Sequence, residues 1–205
     1  MLTGKLHNQF VYNRRMEILS DCFADMIGRS HKLHILDVGC GDGKIARLIM
    51  EKTDVSIEGI DVLVRDTTYI PVKAFDGKKI LYENDSFDSA IIIDVLHHSD
   101  DPLTLLKEVK RVVQKSIFIK DHLLEGLWAG TTLKFMDYVG NDHFGVRLPY
   151  NYMKKTEWLA LFEELKLSVS SWNERLNLYS RPWHFLFDRG FHFIADLSVT
   201  EYIKE

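Results

Sequence analysis

The sequence has few cysteines, no excess of positive charge and no long apolar run. Its two cysteines, Cys22 and Cys40, form no C-x-x-C pair and do not indicate a disulfide framework. Residues 1–10 show neither the basic segment nor the apolar segment of a secretory signal. Together these absences predict a reducing, cytoplasmic location.

Charge and hydropathy narrow the classes of partner. The chain holds 26 Lys and Arg against 30 Asp and Glu, which gives a formal net charge of −4. This balance predicts no general attraction to phosphate backbones or anionic membranes, so nucleic acid is disfavoured as a substrate, although a local basic patch stays open. Apolar stretches such as residues 90–93 are far shorter than the roughly 20 residues that span a bilayer. We therefore expect a soluble chain with no transmembrane segment.

The composition suits one domain. With 205 residues and 46% hydrophobic content, the chain can bury a continuous core without disulfides or structural metals. No internal repeat or low-complexity tract divides it. We predict a single domain over residues 1–205 with four parts. These are an N-terminal helix (8–28), a cofactor-binding core (33–121), a substrate lid (122–155), and a C-terminal helix with the final strands (156–205).

Predicted strands and helices alternate along much of the chain. Short apolar runs predict strands at residues 33–38, 55–61, 72–75, 88–94 and 116–120. Helical spacing of apolar residues predicts helices at residues 8–27, 44–51, 102–113 and 156–165. This alternation predicts an α/β fold with a doubly wound, mostly parallel sheet and helices on both faces. Residues 167–172 and 191–197 are expected to add two strands, paired antiparallel, which completes a seven-stranded Rossmann-like sheet.

The strongest motif lies where the first predicted strand meets the next helix. Glycines alternate at positions 39, 41 and 43 and let a ligand approach the backbone closely. A G-x-G-x-x-G dinucleotide fingerprint would need glycine at position 44, where this chain has Lys44. Asp37 and Asp42 would repel a pyrophosphate but attract a ligand that carries an ammonium and a sulfonium. The turn therefore favours S-adenosylmethionine over a nicotinamide cofactor.

Two further acids follow at strand ends. Asp61 ends the second predicted strand, about twenty residues after the glycine turn, where a carboxylate can accept hydrogen bonds from both ribose hydroxyls. Asp76 follows the third strand and can accept from an adenine amino group. Each has a plain structural alternative, because Asp commonly caps helices and Asp76-Gly77 is a common turn pair.

At this point residues 33–121 resemble the type 11 family of class I S-adenosylmethionine-dependent methyltransferases. The resemblance rests on four motifs in order: the glycine turn, Asp61, the run from Asp76 to Asp88, and Asp94-Val95-Leu96-His97-His98. It departs from the family after Asp61, where residues 62–71 replace a longer crossover. The usual Pro-Gly-Gly turn before the fifth strand is also absent.

The resemblance implies the fold, the cofactor S-adenosylmethionine, the product S-adenosylhomocysteine and a set of binding residues. Four moieties of the cofactor are to be held: the methionine part, the ribose, the adenine and the methyl-donor end. Asp37, Gly39, Cys40, Gly41 and Gly43 are expected at the methionine part, Asp61 at the ribose, Asp76 and Gly77 beside the adenine with Val62 or Leu63 stacked on it, and Asp94, Val95 and His97 beneath the methyl-donor end.

The residues that contact the methyl acceptor are expected after the fifth strand and in the lid. Residues 121–152 hold four glycines and several aromatics without a sustained period, which is typical of an inserted segment. His143 or His122 is the candidate general base, and Arg147 or Tyr150 the candidate for orienting the substrate. Turn formation or a backbone contact is the structural alternative for each histidine.

No metal site is predicted. His97 and His98 lie near Asp100 and Asp101, but adjacent histidines on a strand or turn usually point apart, and no further set at zinc-like spacing accompanies them. His97 is instead expected to line the cofactor pocket and His98 to be a local structural residue.

Methyl transfer to a small-molecule or lipid-like acceptor is the function predicted from the sequence. The large side chains between residues 176 and 193 favour core or lid packing, and an apolar acceptor pocket is the alternative. Three other functions stay open: a catalytically silent S-adenosylmethionine-binding partner subunit, a nicotinamide-dependent oxidoreductase, and an RNA methyltransferase. The acceptor, the methylated atom and the oligomeric state stay open as well.

Overall fold

The structure is a computed structural model that describes residues 2–28, 32–141, 149–180 and 184–199, with side chains for all of these except residues 2–11 and 139–141. Its strands are β1 (His34–Val38), β2 (Ser56–Asp61), β3 (Val72–Ala74), β4 (Phe87–Ile93), β5 (Val113–His122), β6 (Ser168–Asn173) and β7 (His192–Ser198). Its helices are α1 (Leu2–Ile27), α2 (Lys44–Lys52), α3 (Pro102–Val112), α4 (Ala129–Asn141), α5 (Lys155–Glu164) and α6 (His184–Phe187), and a 3₁₀ turn spans Leu96–His98.

The described strands form a seven-stranded sheet in the order β3-β2-β1-β4-β5-β7-β6. The first five strands run parallel, and β7 lies antiparallel to both β5 and β6. The doubly wound sheet and its antiparallel end are confirmed. Because parallel strands end at the same edge of a sheet, the segments after β1, β2, β4 and β5 lie together. The start of the antiparallel β7 joins this edge, where His192 pairs with His122.

Helices cover both faces of the sheet. Helices α1 and α2 bury Leu19, Phe23 and Ile49 against one face. Helices α3 and α5 bury Leu106, Trp158 and other side chains against the opposite face. Among the described residues, no helix combines the length and the apolar character that crossing a bilayer requires.

The segment predicted to be an aperiodic lid contains helix α4. Gly130 and two threonines in its first turn lower its helix propensity. Its buried side carries Ala129, Leu133 and Asp137. Because Asp137 is charged, it interrupts the apolar repeat by which a helix is recognised in a sequence. Strand β5 is also longer than predicted and includes the three polar residues Lys120, Asp121 and His122, all of them buried.

Candidate cofactor and substrate site

The glycine turn between β1 and α2 is held to the neighbouring strand by its own backbone. The Gly39 N–H donates to the Ile60 carbonyl at 2.8 Å, and the Gly43 N–H donates to the Cys40 carbonyl at 2.9 Å. All three glycines have positive φ angles, 72° at Gly39, 60° at Gly41 and 77° at Gly43. The turn therefore has a backbone path that L side chains rarely adopt.

Two of these glycines are also required by close packing. A Cβ atom at Gly39 would lie 2.4 Å from Cγ2 of Val95, and one at Gly43 would lie 2.4 Å from Cγ1 of Ile70. Among the described residues, no atom lies within 4 Å of a Cβ placed on Gly41, so that position faces open space. The turn thus packs against β4's end and the β2–β3 connection, and its middle stays accessible to a ligand.

Asp61, at the end of β2, binds the glycine turn directly. Its Oδ2 accepts a hydrogen bond from the Gly41 N–H at 2.7 Å, and its Oδ1 accepts one from the Leu63 N–H at 2.8 Å. An ionised carboxylate has about four acceptor sites, so two ribose hydroxyls can still be accommodated. Asp61 therefore shapes the turn and retains acceptor capacity toward a ligand.

Asp37 lies buried at the end of β1, beside Asp61. Burial and the nearby Asp61 carboxylate raise the pKa of Asp37 to about 7. By contrast, Asp42 is used locally, since its Oδ1 accepts from the Lys44 N–H at 3.0 Å at the start of α2. Of the two acids in the turn, Asp37 is the one whose charge a cationic ligand would complement.

The expected adenine site is an exposed turn. Asp76 Oδ1 accepts hydrogen bonds from the Lys78 and Lys79 N–H groups, each at 2.8 Å, and these bonds lower the pKa of Asp76. Val62 is 62% exposed, and its Cγ1 would lie 3.2 Å from a Cβ placed on Gly77. The chain thus offers an exposed apolar side chain next to this turn.

Asp94 follows β4 and is the centre of a partly buried ion-pair group. Its backbone is left-handed, with φ 55°, and its carboxylate is paired with Arg15 of α1 and Lys120 of β5. Burial alone would raise the pKa of Asp94, but Lys120 and Arg15 hold it well below its usual range. His192 completes the group, since its Nδ1 lies 3.3 Å from Lys120 Nζ while its Nε2 lies 3.0 Å from the Phe187 carbonyl.

A second polar group surrounds the fully buried His97. Its Nδ1 lies 2.6 Å from Asp121 Oδ1, and its Nε2 lies 3.3 Å from Asp137 Oδ2 on α4. The Tyr152 hydroxyl donates to Asp137. Burial would lower the pKa of His97, but Asp121 and Asp137 raise it to about 10. Three elements distant in sequence thus meet at one imidazole.

The candidate residues for the acceptor are only partly described. His122 is 4% exposed, with its Nδ1 3.4 Å from Asp94 Oδ1, and burial together with Lys120 lowers its pKa well below the usual value. Tyr150 is half-buried at φ 58°, and its ring centroid lies 6.1 Å from that of Tyr152. His143 and Arg147 lie outside the described residues.

Arg15 and His192 are members of the site that come from segments outside the predicted cofactor-binding core and lid. The sequence contains one indication for each residue. Arg15 is a charged residue directly before the buried Met16 of α1, and His192 is a polar residue at the start of a strand that is otherwise mostly apolar. Neither indication names a partner. Only the sheet order brings Arg15 and His192 to Asp94 and Lys120.

Comparison with known proteins agrees with this geometry. Residues 36–118 match the family described as methyltransferase domain. An O-methyltransferase of Pyrenophora dematioidea is 34% identical over 94 residues, which covers 40% of this chain and 35% of that protein. The match thus spans about a third of the curated relative's length.

Solved structures share the fold over most of the chain. An S-adenosylmethionine-dependent methyltransferase from Mesorhizobium loti has a TM-score of 0.63 at 17% identity, covering 85% of this chain and 94% of that one. A chain from the complex between the Haloferax volcanii Trm112 methyltransferase activator and a methyltransferase has a TM-score of 0.62 at 14% identity, covering 83% of this chain and 84% of that one. At these identities the likeness concerns the fold.

Proposed function

Since residues 36–118 match the methyltransferase-domain family and the chain shares its fold with S-adenosylmethionine-dependent methyltransferases, we propose that it transfers a methyl group from that cofactor to an oxygen atom of a small-molecule or lipid-like acceptor. The observation that carries the proposal is the glycine turn tied to Asp61, with its open centre at Gly41. The O-methyltransferase relative supports oxygen as the methylated atom.

The residues proposed to hold the cofactor fit its chemistry. Asp37 can pair with the ammonium of the methionine part, Asp61 can accept from the ribose, and the exposed Val62 beside Gly77 can cover the adenine. Gly39, Cys40, Gly41 and Gly43 would provide the backbone of the methionine site, with Asp76 at the adenine and Asp94, Val95 and His97 at the methyl-donor end. A Cβ would meet a neighbouring side chain at Gly39 and Gly43 and open space at Gly41, so the glycines would keep the turn close to its ligand.

When bound, S-adenosylmethionine supplies an electrophilic methyl group that an acceptor oxygen takes in line, releasing S-adenosylhomocysteine. The protein's part is to align the acceptor, exclude water and remove a proton where the oxygen carries one. His122 is proposed as the base, because it is held neutral and lies beside Asp94. His143 stays an alternative base, and Tyr150 with Arg147 is proposed to orient the acceptor.

Calorimetric titration with S-adenosylmethionine, S-adenosylhomocysteine and NADH tests the cofactor. We expect both adenosyl ligands to bind and NADH not to bind. Asp61→Asn should weaken adenosyl binding by roughly tenfold or more, since one charged hydrogen bond is worth about 1.5–3 kcal/mol. The control is Asp25→Asn on the exposed side of α1, which should bind like the wild type. Selective binding of NADH would contradict the proposal.

Transfer itself is tested with methyl-labelled cofactor and a panel of phenols, carboxylic acids and fatty acids. Labelled product from one of these classes supports an O-methyltransferase, and His122→Gln should then lower turnover most at low pH. Cofactor binding without transfer to any acceptor would instead favour a silent partner subunit. The Trm112 activator complex is the comparison that suggests this second candidate.

A further inference from the structure

The 3₁₀ turn after β4 places two imidazoles side by side. The ring centroids of His97 and His98 are 3.9 Å apart, so these neighbours do not point apart as expected from the sequence. Helix α4 brings the carboxylate of Asp137 to the same place. One ligand atom each from His97, His98 and Asp137 can be chosen so that all lie within 4.8 Å of one another.

Two nitrogens at this place are buried and lack a hydrogen-bond partner among the described residues: His97 Nε2 and His98 Nδ1. His97 is fully buried, and its Nε2 lies 3.3 Å from Asp137 Oδ2 without hydrogen-bond geometry. Buried polar atoms without partners are uncommon and call for an explanation. The ion pair of His97 with Asp137 leaves His98 Nδ1 without a partner, and a divalent cation in place of the proton on His97 Nε2 would contact all three side chains.

The other side of His97 is arranged as in metal-binding histidines. Its Nδ1 lies 2.6 Å from Asp121 Oδ1, while Asp121 Oδ2 accepts from the Leu96 N–H at 3.1 Å. Asp121 thereby fixes the ring and keeps a proton on Nδ1, so Nε2 is the nitrogen that can exchange its proton for a metal ion. Metal-binding histidines almost always donate their second N–H to a carboxylate, carbonyl or water in this way.

The distances also fit an ion. Two atoms that each lie about 2.0–2.1 Å from a tetrahedral zinc ion are roughly 3.3 Å apart. This is the separation of His97 Nε2 and Asp137 Oδ2. His98 is half-buried and His97 is enclosed, so the imidazole of His98 is the ligand that lies nearer the surface.

We propose that His97 Nε2, His98 Nδ1 and Asp137 bind a divalent transition-metal ion of the zinc class. Two imidazoles and one carboxylate suit zinc, cobalt or iron, whereas magnesium and calcium prefer oxygen ligands alone. Three protein ligands leave a fourth position open for water or another oxygen ligand. Tyr152 supports the set from outside through its bond to Asp137.

The ion would join helix α4 to the turn that follows β4. Asp137 and His97 lie 40 positions apart in the sequence, and the turn ends next to the proposed methyl-donor site. The inference rests on the geometry of these side chains and holds whether or not the chain transfers methyl groups.

Titration of untagged, chelator-treated protein with Co²⁺, followed by visible absorption, tests the site. We expect saturation at one ion per chain and displacement by Zn²⁺ but not by Mg²⁺. His98→Ala and Asp137→Asn should each weaken Co²⁺ binding by at least roughly 100-fold, the upper range found when only a supporting residue is lost. Circular dichroism checks that each variant is folded.

The matched control is His34→Ala, which removes a partly exposed imidazole that lies 3.2 Å from a Glu58 carboxylate oxygen at the far end of β1. It should bind Co²⁺ as the wild type does. Absence of saturable Co²⁺ and Zn²⁺ binding by the wild type, or unchanged binding by folded His98→Ala, would overturn the proposal. S-adenosylmethionine titration of the same metal-free sample keeps this outcome separate from that of the proposed function.

Discussion

At the scale of single residues, Asp37 and Asp61 form a pair of buried carboxylates beneath the glycine turn. Asp61 is bound by two backbone N–H groups, whereas burial and Asp61 raise the pKa of Asp37 to about 7. Near neutral pH, Asp37 therefore exchanges a proton easily. A ligand ammonium placed beside it would favour the ionised form and release that proton.

Cofactor binding should therefore depend on pH through Asp37. Below pH 7 the carboxyl is protonated in the free protein, so S-adenosylmethionine should bind about tenfold more weakly at pH 6 than at pH 8. Calorimetry across this range measures the effect. Asp37→Asn should bind weakly at every pH and lose the dependence, and an equally steep dependence in that variant would contradict the assignment.

The same carboxyl affects folding in the opposite direction. Its pKa is about 7 in the folded chain and about 3.9 when unfolded, so the unfolded state loses the proton first as pH rises. The contribution of Asp37 to stability is thus greatest at low pH and declines between about pH 4 and pH 7. Cofactor-free protein carries this cost at neutral pH.

The residue scale also shows which parts of the site are readable from the sequence. The glycine turn and Asp61 were predictable, because one short segment and one strand end contain all their atoms. The ion pairs of Asp94 were not, since Arg15, Lys120 and His192 come from three distant elements. The proximity of His97 to Asp137 depends likewise on a helix that the sequence pattern did not reveal.

At the scale of elements, the turn after β1 packs closely against the residues that follow β4. The strands β1 and β4 pair in parallel, with Val38 opposite Ile92, which brings Gly39 under Val95. The contact allows no side chain at position 39 unless Val95 moves. Glycine is thus needed there for packing as well as for its positive φ angle.

Substitution with alanine at two glycines separates these effects. Gly28→Ala, at φ 78° with no atom of the described residues within 4 Å, should cost roughly 1–2 kcal/mol of unfolding free energy from backbone strain alone. Gly39→Ala should cost clearly more, and adding Val95→Ala should recover part of the excess because the two Cγ atoms are removed. Urea denaturation measures all three. Equal losses in the two glycine variants would rule out the packing argument.

Element boundaries followed the sequence where periodicity was regular. Helix α2, strand β2 and the antiparallel pair β6–β7 lie within two residues of their predicted bounds. Helix α4 was missed because Asp137 occupies a buried position and glycine lies near each end. Strand β5 exceeds its predicted range at both ends, at residues 113–115 and at the buried Asp121 and His122.

At the scale of the whole molecule, an ion pair joins helix α1 to the carboxyl edge of the sheet. Its apolar side packs on β1 and α2, and Arg15 reaches Asp94 with a side chain that is 31% exposed. Lys120 pairs with the same carboxylate from inside the sheet. The helix that covers one face of the sheet is therefore linked to the proposed methyl-donor site.

Loss of Arg15 should loosen α1 without unfolding the sheet, because Asp94 keeps Lys120 as a partner. Arg15→Met should raise hydrogen exchange in α1 and weaken S-adenosylmethionine binding, with a stability loss of roughly 1–3 kcal/mol. Exchange measured by mass spectrometry reports the helix directly. Arg14→Met, which removes an exposed arginine bound to a carbonyl at 3.3 Å, is the control. Identical exchange in both variants would show that Arg15 does not fasten α1.

The position of β7 has a consequence for the order of assembly. Residues 192–198 separate β5 from β6, so the outer edge of β5 stays unpaired until almost all of the described chain has been synthesised. Contacts between positions so far apart form slowly, and an apolar strand edge left open in the meantime can pair with another chain. During translation, the polypeptide should therefore depend on chaperones most in the interval between the emergence of β5 and that of β7.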